Sequence, residues 1–197
     1  RNGVQLEAFA PCTGDKTVDV LFAGNMGYPP NVDGAVFLEK MVMPLVRLKQ
    51  PNARLMLAGT TPASQVKELA HELTEVTGWV DNIRDCYAKA KIFVAPMNIG
   101  TGLQNKLLEA MAMKIPCITS TLANNALNAK PNTEILIADN PQQYADFILE
   151  LLANPEKAET LATAGHNMIA KSFGWEGSTK PLVDLIEKAV KERNNPI

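Results

Sequence analysis

Residues 96–113, Pro-Met-Asn-Ile-Gly-Thr-Gly-Leu-Gln-Asn-Lys-Leu-Leu-Glu-Ala-Met-Ala-Met, place a glycine-punctuated turn at the head of an apolar helix carrying Lys106 and Glu109. Lys106 and Glu109 are three apart and Asn105 and Glu109 four apart, so all three side chains share one helical face near the helix start. A helix start has free backbone N–H groups and partial positive character, which suit an anion such as a phosphate. Gly100 and Gly102 lack the Cβ atoms that would hold a ligand off the backbone. Together these features seat a phosphate-bearing ligand on a strand–loop–helix junction. The competing local arrangement is a Lys106–Glu109 pair on its own helix, worth only roughly a few tenths of a kcal/mol.

The segments around this junction alternate. Val18–Ala23 is a short β-branched and apolar run ending at Gly24, and Asn25-Met-Gly-Tyr-Pro-Pro-Asn31 reads as the loop after it. Ala35, Leu38, Val42, Leu45 and Val46 fall at helical spacing, so a helix is expected from Val32 to about Leu48, with a kink at Pro44. Arg54–Ala58 is a buried strand ending at Gly59. A helix near 63–72, a strand near 74–77, a short helix near 82–89 and the strand Lys91–Ala95 follow. Beyond the 96–113 segment, Pro116–Thr119 and Glu134–Ala138 read as strands.

The apolar strand cores are continuous rather than alternating, as in a parallel sheet covered on both faces. The expected fold is therefore α/β, a doubly wound, Rossmann-like parallel sheet flanked by helices. Ligands of such a sheet bind at the carboxyl ends of the strands, here the loops after Ala23, Ala58, Val76 and Ala95. Three helices, near 141–153, 155–172 and 178–192, are expected to finish the chain, with a polar tail at 193–197. The expected organisation is a single domain over 1–197: an entry segment 1–17, the α/β core 18–140, the C-terminal helices and the tail.

At 197 residues the chain is long enough for one substantial core. Its 46% hydrophobic and 20% charged content is that of a globular domain rather than a disordered chain. A formal net charge of −2 leaves no basic excess for a nucleic-acid partner, whereas an anionic small molecule needs only local positive potential. Cys12, Cys86 and Cys117 are scattered, which points to neither a disulfide framework nor a zinc site and suits the cytoplasm. No apolar run approaches the roughly 20 residues of a membrane span. The chain starts without Met at Arg1-Asn2-Gly3-Val4, and a piece of a longer protein is expected.

Familiar signatures are missing. Gly24-Asn-Met-Gly27 is not G-x-G-x-x-G, and no phosphate loop, nucleophile elbow or zinc helix occurs, so dehydrogenase, NTPase and hydrolase chemistry lose support. Asn2-Gly3-Val4 with Phe9, Gly78-Trp-Val80 followed by 81–90, Gly100–Ala112, and Ser172-Phe-Gly-Trp175 occur in an order that is familiar as a set. In these motifs the chain resembles the C-terminal, nucleotide-sugar-binding half of a group 1 (family 4) glycosyltransferase, one half of a GT-B fold. The resemblance covers nearly all of the chain, and the Glu109-Ala-Met-Ala112 block with its glycine loop is the specific part.

The resemblance implies a transferase moving a sugar from a nucleoside diphosphate donor to an acceptor glycan or lipid, retaining and metal-independent, with no cofactor beyond that substrate. It puts Glu109 at the second glutamate of the E-x7-E motif, accepting from the ribose hydroxyls. Gly100, Thr101, Gly102 and Leu103 would face diphosphate and sugar, with Gly24, Asn25 and Asn105 beside them, and Val80 would meet the base with Gly78 allowing close approach. Thr101 stands where the first glutamate would be, and the basic pair after the first strand is replaced by Asn25 and Met26. Lys106 is then the candidate for the diphosphate charge, and Lys106 and Glu109 are the candidate catalytic residues. The acceptor site is expected in an N-terminal partner domain, so the chain alone is expected to be inactive.

Two alternatives stay open: half of a nucleotide-sugar epimerase, and a non-catalytic nucleotide-binding or scaffolding module. Arg84 and Lys91 are expected at the surface, and His71 and His166 in structural or exposed positions. The pairs Met41/Met43 and Met111/Met113 read as core filler, and Trp175 as packing at the crossing of the last helices.

Overall fold

The apolar runs become strands that pair in parallel: β1 (Val18–Ala23), β2 (Leu55–Ala58), β3 (Thr74–Gly78), β4 (Ala90–Ala95), β5 (Cys117–Thr119) and β6 (Leu136–Ile137). The computed structural model describes residues 3–12, 14–99 and 102–174. Strand order is β3-β2-β1-β4-β5-β6, so the order reverses between β1 and β4. β1 and β2 are buried almost end to end because helices cover both faces of the sheet. The doubly wound expectation holds.

The helices are α1 (Pro29–Phe37), α2 (Met43–Arg47), α3 (Ser64–Lys67), α4 (Ile83–Lys89), α5 (Asn105–Ala112), α6 (Thr121–Leu127), α7 (Pro141–Ala153) and α8 (Pro155–Ser172). A π-helical turn, Leu38–Val42, joins α1 to α2. Pro44 has no N–H for the carbonyl four residues back, and the wider turn ends just before it, which is the form the expected kink takes. The helix starts earlier than Val32 because Pro29 and Pro30 suit its first turn.

Three expectations are corrected. The helix near 63–72 is a single turn, Ser64–Lys67, because His71 and Thr74 exchange backbone hydrogen bonds of 3.0 Å and pull the chain into a bridge. The strand expected over Glu134–Ala138 shortens to Leu136–Ile137. Met41 is exposed on the outer side of the π turn, whereas Met43, Met111 and Met113 lie in the core. One helix escapes the periodicity altogether: α6, Thr-Leu-Ala-Asn-Asn-Ala-Leu, is held by its ends. Ser120 accepts from the Ala123 amide, and Asn128 closes the helix in the left-handed conformation.

One apolar core runs from Val4 to Phe173. The Val4 amide donates to the Phe173 carbonyl at 2.9 Å, so the entry segment lies against the end of α8. Trp175, the helix expected over 178–192, the tail and Arg1-Asn2 lie outside the described residues.

A buried polar cluster ties the π turn to the edge strand β3. Arg47 donates to both Glu39 carboxylate oxygens at 2.7 and 3.3 Å, and Thr74 Oγ1 donates to Glu39 at 2.7 Å. His71 Nε2 donates to Glu39 at 2.9 Å, a tautomer fixed by the Leu73 amide donating to Nδ1. Arg84 reaches the Ala8 carbonyl, Lys91 pairs with Asp19, and His166 Nδ1 bonds the Ala112 carbonyl, so these residues serve the scaffold. Burial acts to raise the Glu39 carboxyl, but the bonds from Arg47, Thr74 and His71 outweigh it and hold it below the usual range. Its stabilising contribution is thus present above the unfolded carboxyl pKa and is lost as pH falls through the lower folded value. Glu39→Ala strands a buried guanidinium and is expected to destabilise the fold by about 3 kcal/mol in urea denaturation. A loss below ~1 kcal/mol would show the cluster to be dispensable.

Candidate functional site

β1, β2 and β3 end side by side, and α5 begins where the chain leaves β4 across the reversal of strand order, the position where sheets of this class bind ligands. A cleft of about 320 Å³ opens there. Gly24 and Asn25 after β1, Gly59 and Thr60 after β2, and Trp79, Val80 and Asp81 after β3 line it, with Ile83 and Tyr87 from α4 and Lys106 and Glu109 from α5.

The floor is backbone. Gly59 has φ +134°, and a Cβ on it would stand 1.8 Å from the Gly24 carbonyl oxygen. Only glycine fits. The Asn25 side chain is spent on its own turn, accepting from the Gly27 amide at 2.9 Å.

Lys106 lies in the first turn of α5 and is largely buried. Its Nζ donates to Asn31 Oδ1, lies 3.7 Å from Met97 Sδ and sits 4.8 Å from the centre of the Phe22 ring. Asn31 is itself buried and donates to the Asn25 carbonyl at 2.8 Å, which ties the lysine to the loop after β1. Among the described residues no carboxylate forms an ion pair with Lys106. Burial lowers its pKa to about 8, against the opposing field of Glu109. A buried ammonium whose hydrogen-bond partners are neutral is costly, and an anion beside it would lower that cost.

Glu109 accepts a hydrogen bond of 2.9 Å from the Tyr87 hydroxyl, which also lies 3.3 Å from the Lys106 carbonyl. The Tyr87 ring packs against Phe93, with centroids 5.5 Å apart, and so holds the carboxylate in place from behind. Burial raises the Glu109 pKa, with Tyr87 and Lys106 pulling it down. The same burial, with Glu109 adding to it, raises the Tyr87 hydroxyl well above its ordinary value, so Tyr87 remains a donor.

Of the residues singled out from sequence, Gly24, Asn25, Val80, Lys106 and Glu109 meet in the cleft. Asn105 does not join them. It sits exposed at the first position of α5 and is not among the cleft walls. Gly78, with φ +67°, ends β3 just short of the cleft, and Gly102 and Leu103 stand before α5 outside its walls. Gly100 and Thr101 lie outside the described residues.

Tyr87, Asn31 and Gly59 were not singled out. Gly59 carries the same strand-end glycine signal as Gly24. Asn31 and Tyr87 carry none, because their partners are 75 and 22 positions away. Among the described residues no three His, Cys, Asp or Glu side chains gather as metal ligands, and no helix is long and apolar enough to cross a membrane.

The fold agrees with that of the solved structures this chain is similar to. The family pattern described as "Glycosyl transferases group 1" matches residues 17–154. A GDP-mannose-dependent monoacylated alpha-(1-6)-phosphatidylinositol monomannoside mannosyltransferase of Corynebacterium glutamicum is 23% identical over 158 residues, 74% of this chain and 42% of that protein. Among solved structures, Anabaena HepE in complex with UDP and glucose superposes with a TM-score of 0.76 at 12% identity, covering 94% of this chain and 55% of that one. The C-terminal domain of a Francisella tularensis glycosyl transferase group 1 family protein, LpcC, superposes with a TM-score of 0.68 at 17% identity, covering 88% of this chain and all of that domain. The matches span between 28% and 56% of the curated relatives' own lengths.

Proposed function

Because the chain belongs to the group 1 glycosyl transferases, we propose that its cleft is the donor site of a hexosyltransferase that takes a nucleoside diphosphate sugar. The acceptor, a glycan or lipid, is held by an N-terminal domain of the same protein. The observation that carries this reading is the Lys106 ammonium, buried at the strand ends with Asn31, Met97 and Phe22 as its neighbours and, among the described residues, no carboxylate in an ion pair with it. An anion supplied from outside completes that site. HepE, similar in fold, is described with UDP and glucose, which supports a nucleotide sugar as that anion.

In this reading the diphosphate sits on Lys106 and on the backbone of Gly24, Asn25 and the loop before α5. Glu109, held by Tyr87, accepts from the ribose hydroxyls, and the Val80 backbone meets the base. As the bond between the anomeric carbon and the diphosphate oxygen lengthens, negative charge grows on that oxygen. Lys106 and the loop amides stabilise it more than they stabilise the ground state, which is catalysis by preorganised electrostatics. Lys106 then supplies the charge without a divalent cation, and transfer proceeds with retention. Cys12, Cys86 and Cys117 are free thiols, in keeping with a cytoplasmic enzyme.

The test is pH. Lys106 binds the diphosphate only when protonated, and its pKa in the empty cleft is about 8. Affinity for a nucleoside diphosphate, followed by titration calorimetry from pH 7 to 10, is expected to hold up to that value and then fall. The slope approaches about tenfold per pH unit, because binding takes up one proton. A flat profile, or affinity that rises with pH, would remove Lys106 from the diphosphate site.

A further inference from the structure

A second groove opens at the amino ends of β4 and β5, the end of the sheet opposite the donor cleft. Ile92, Ile115, Pro116, Leu151, Leu152 and Ala158 form its floor, and its volume is about 360 Å³. The groove lies at the junction of α7 and α8. Asn154 both ends α7 and caps α8, accepting from the Lys157 amide at 2.9 Å, so the two helices part within one residue.

Three lysines stand on the walls: Lys16 from the entry segment, Lys91 from β4 and Lys114 from the end of α5. Two are already neutralised, since Lys91 pairs with Asp19 at 2.8 Å and Lys114 pairs with Glu159. Lys16 is exposed and, among the described residues, forms no ion pair with a carboxylate. Lys114 also holds a left-handed backbone, φ +57°, at a helix end where glycine or asparagine is the usual residue. That conformation is strained for a lysine, and what the strain sets in place is an ammonium on the groove wall.

The groove thus offers an apolar floor and one uncompensated positive charge. Among its described lining residues there is no Asn, Gln, Ser, Thr or aromatic side chain, so the hydroxyls of a sugar or the edges of a base would find few partners. A membrane surface is met by clusters of unpaired basic residues, and here two of the three lysines are paired. The volume is that of a small-molecule site, at the lower end of the roughly 300–1,000 Å³ such pockets span.

We propose that this groove is a binding site for a small, soluble amphiphilic monoanion, an apolar ring or short chain with one carboxylate or sulfonate head, its body on the floor and its head on Lys16. β4, about 17 Å long, separates it from the donor cleft, and the assignment does not depend on the donor reading. The test uses 8-anilinonaphthalene-1-sulfonate, a monoanion whose emission rises on apolar surfaces, with N-phenyl-1-naphthylamine as the same rings without the sulfonate. Both are titrated against the wild-type chain, Lys16→Gln, Ala158→Phe and Lys106→Met.

The wild type is expected to bind one sulfonate probe per chain, and Lys16→Gln to bind it roughly 5- to 12-fold more weakly, the low end for a hydrogen bond to a charged group because Lys16 is exposed. The uncharged probe binds wild type and Lys16→Gln alike. Ala158→Phe fills the floor and loses both probes, whereas Lys106→Met, altered in the donor cleft, keeps them. Sulfonate affinity that is unchanged in Lys16→Gln, or lost in Lys106→Met, overturns the site. Phosphatidylglycerol vesicles are expected to leave the wild-type chain in solution on sedimentation, and retention that Lys16→Gln abolishes would overturn the soluble ligand in favour of a membrane surface.

Discussion

Glu109→Ala is expected to weaken the binding of a nucleoside diphosphate by roughly 100- to 20,000-fold. Two vicinal ribose hydroxyls would lose an ionised acceptor, and hydrogen bonds to charged groups are worth about 1.5–3 kcal/mol each. The variant also strands the buried Tyr87 hydroxyl, which now donates to Glu109 at 2.9 Å. Part of any loss could then come from a disturbed wall rather than a missing ligand. Glu109→Gln separates the two, because its amide oxygen still accepts from Tyr87 while the negative charge is gone. A nucleotide lacking both ribose hydroxyls completes the cycle, and against it wild type and Glu109→Ala should differ by less than about threefold. Equal losses for the hydroxylated and dideoxy nucleotides would move Glu109 from ligand contact to scaffold.

Lys106→Met is expected to abolish measurable diphosphate binding and yet yield a protein that unfolds at higher temperature. The fall of the Lys106 pKa from 10.5 to about 8 through burial corresponds to ~3 kcal/mol of penalty on the charged form at neutral pH. Methionine fills the same channel beside Met97 and Phe22 without that penalty. It leaves Asn31 Oδ1 without its donor, at a cost of about 1 kcal/mol, so the net gain is about 1–2 kcal/mol or a few degrees in Tm.

The sign with pH is specific. Between the folded pKa near 8 and the unfolded value near 10.5 the unfolded chain binds more protons, so wild-type stability rises with pH across that window. The advantage of Lys106→Met is therefore largest below pH 8 and shrinks above it. Urea denaturation of both proteins at pH 7 and pH 10 reads this directly, and a variant less stable than wild type at pH 7 would falsify the account of Lys106 as a strained charge waiting for its anion.

What could be read before folding was what neighbours in sequence decide. β1 and β2 announced themselves as apolar runs ending at glycine, and the helical interval put Lys106 and Glu109 on one face of α5 because nothing but local geometry is involved. The partners of the two charges were not legible. Asn31 reaches Lys106 only because β1 and β4 lie side by side, and Tyr87 reaches Glu109 only because the fold brings the α4 side chain to α5 across 22 positions of chain. The exposure of Trp79 is likewise decided by packing and carries no mark in the residues beside it.

The contact between Gly59 and the Gly24 carbonyl carries a consequence for how such a domain diversifies. Two adjacent turns meet with no room for a side chain, so mutation has nothing to write on the cleft floor except the loss of the fold. New preferences for base or sugar must arise at the rim, at positions such as Thr60 and Trp79. Inheritance in this site is thereby divided into an unvarying backbone that receives the nucleotide and an editable margin that decides which one.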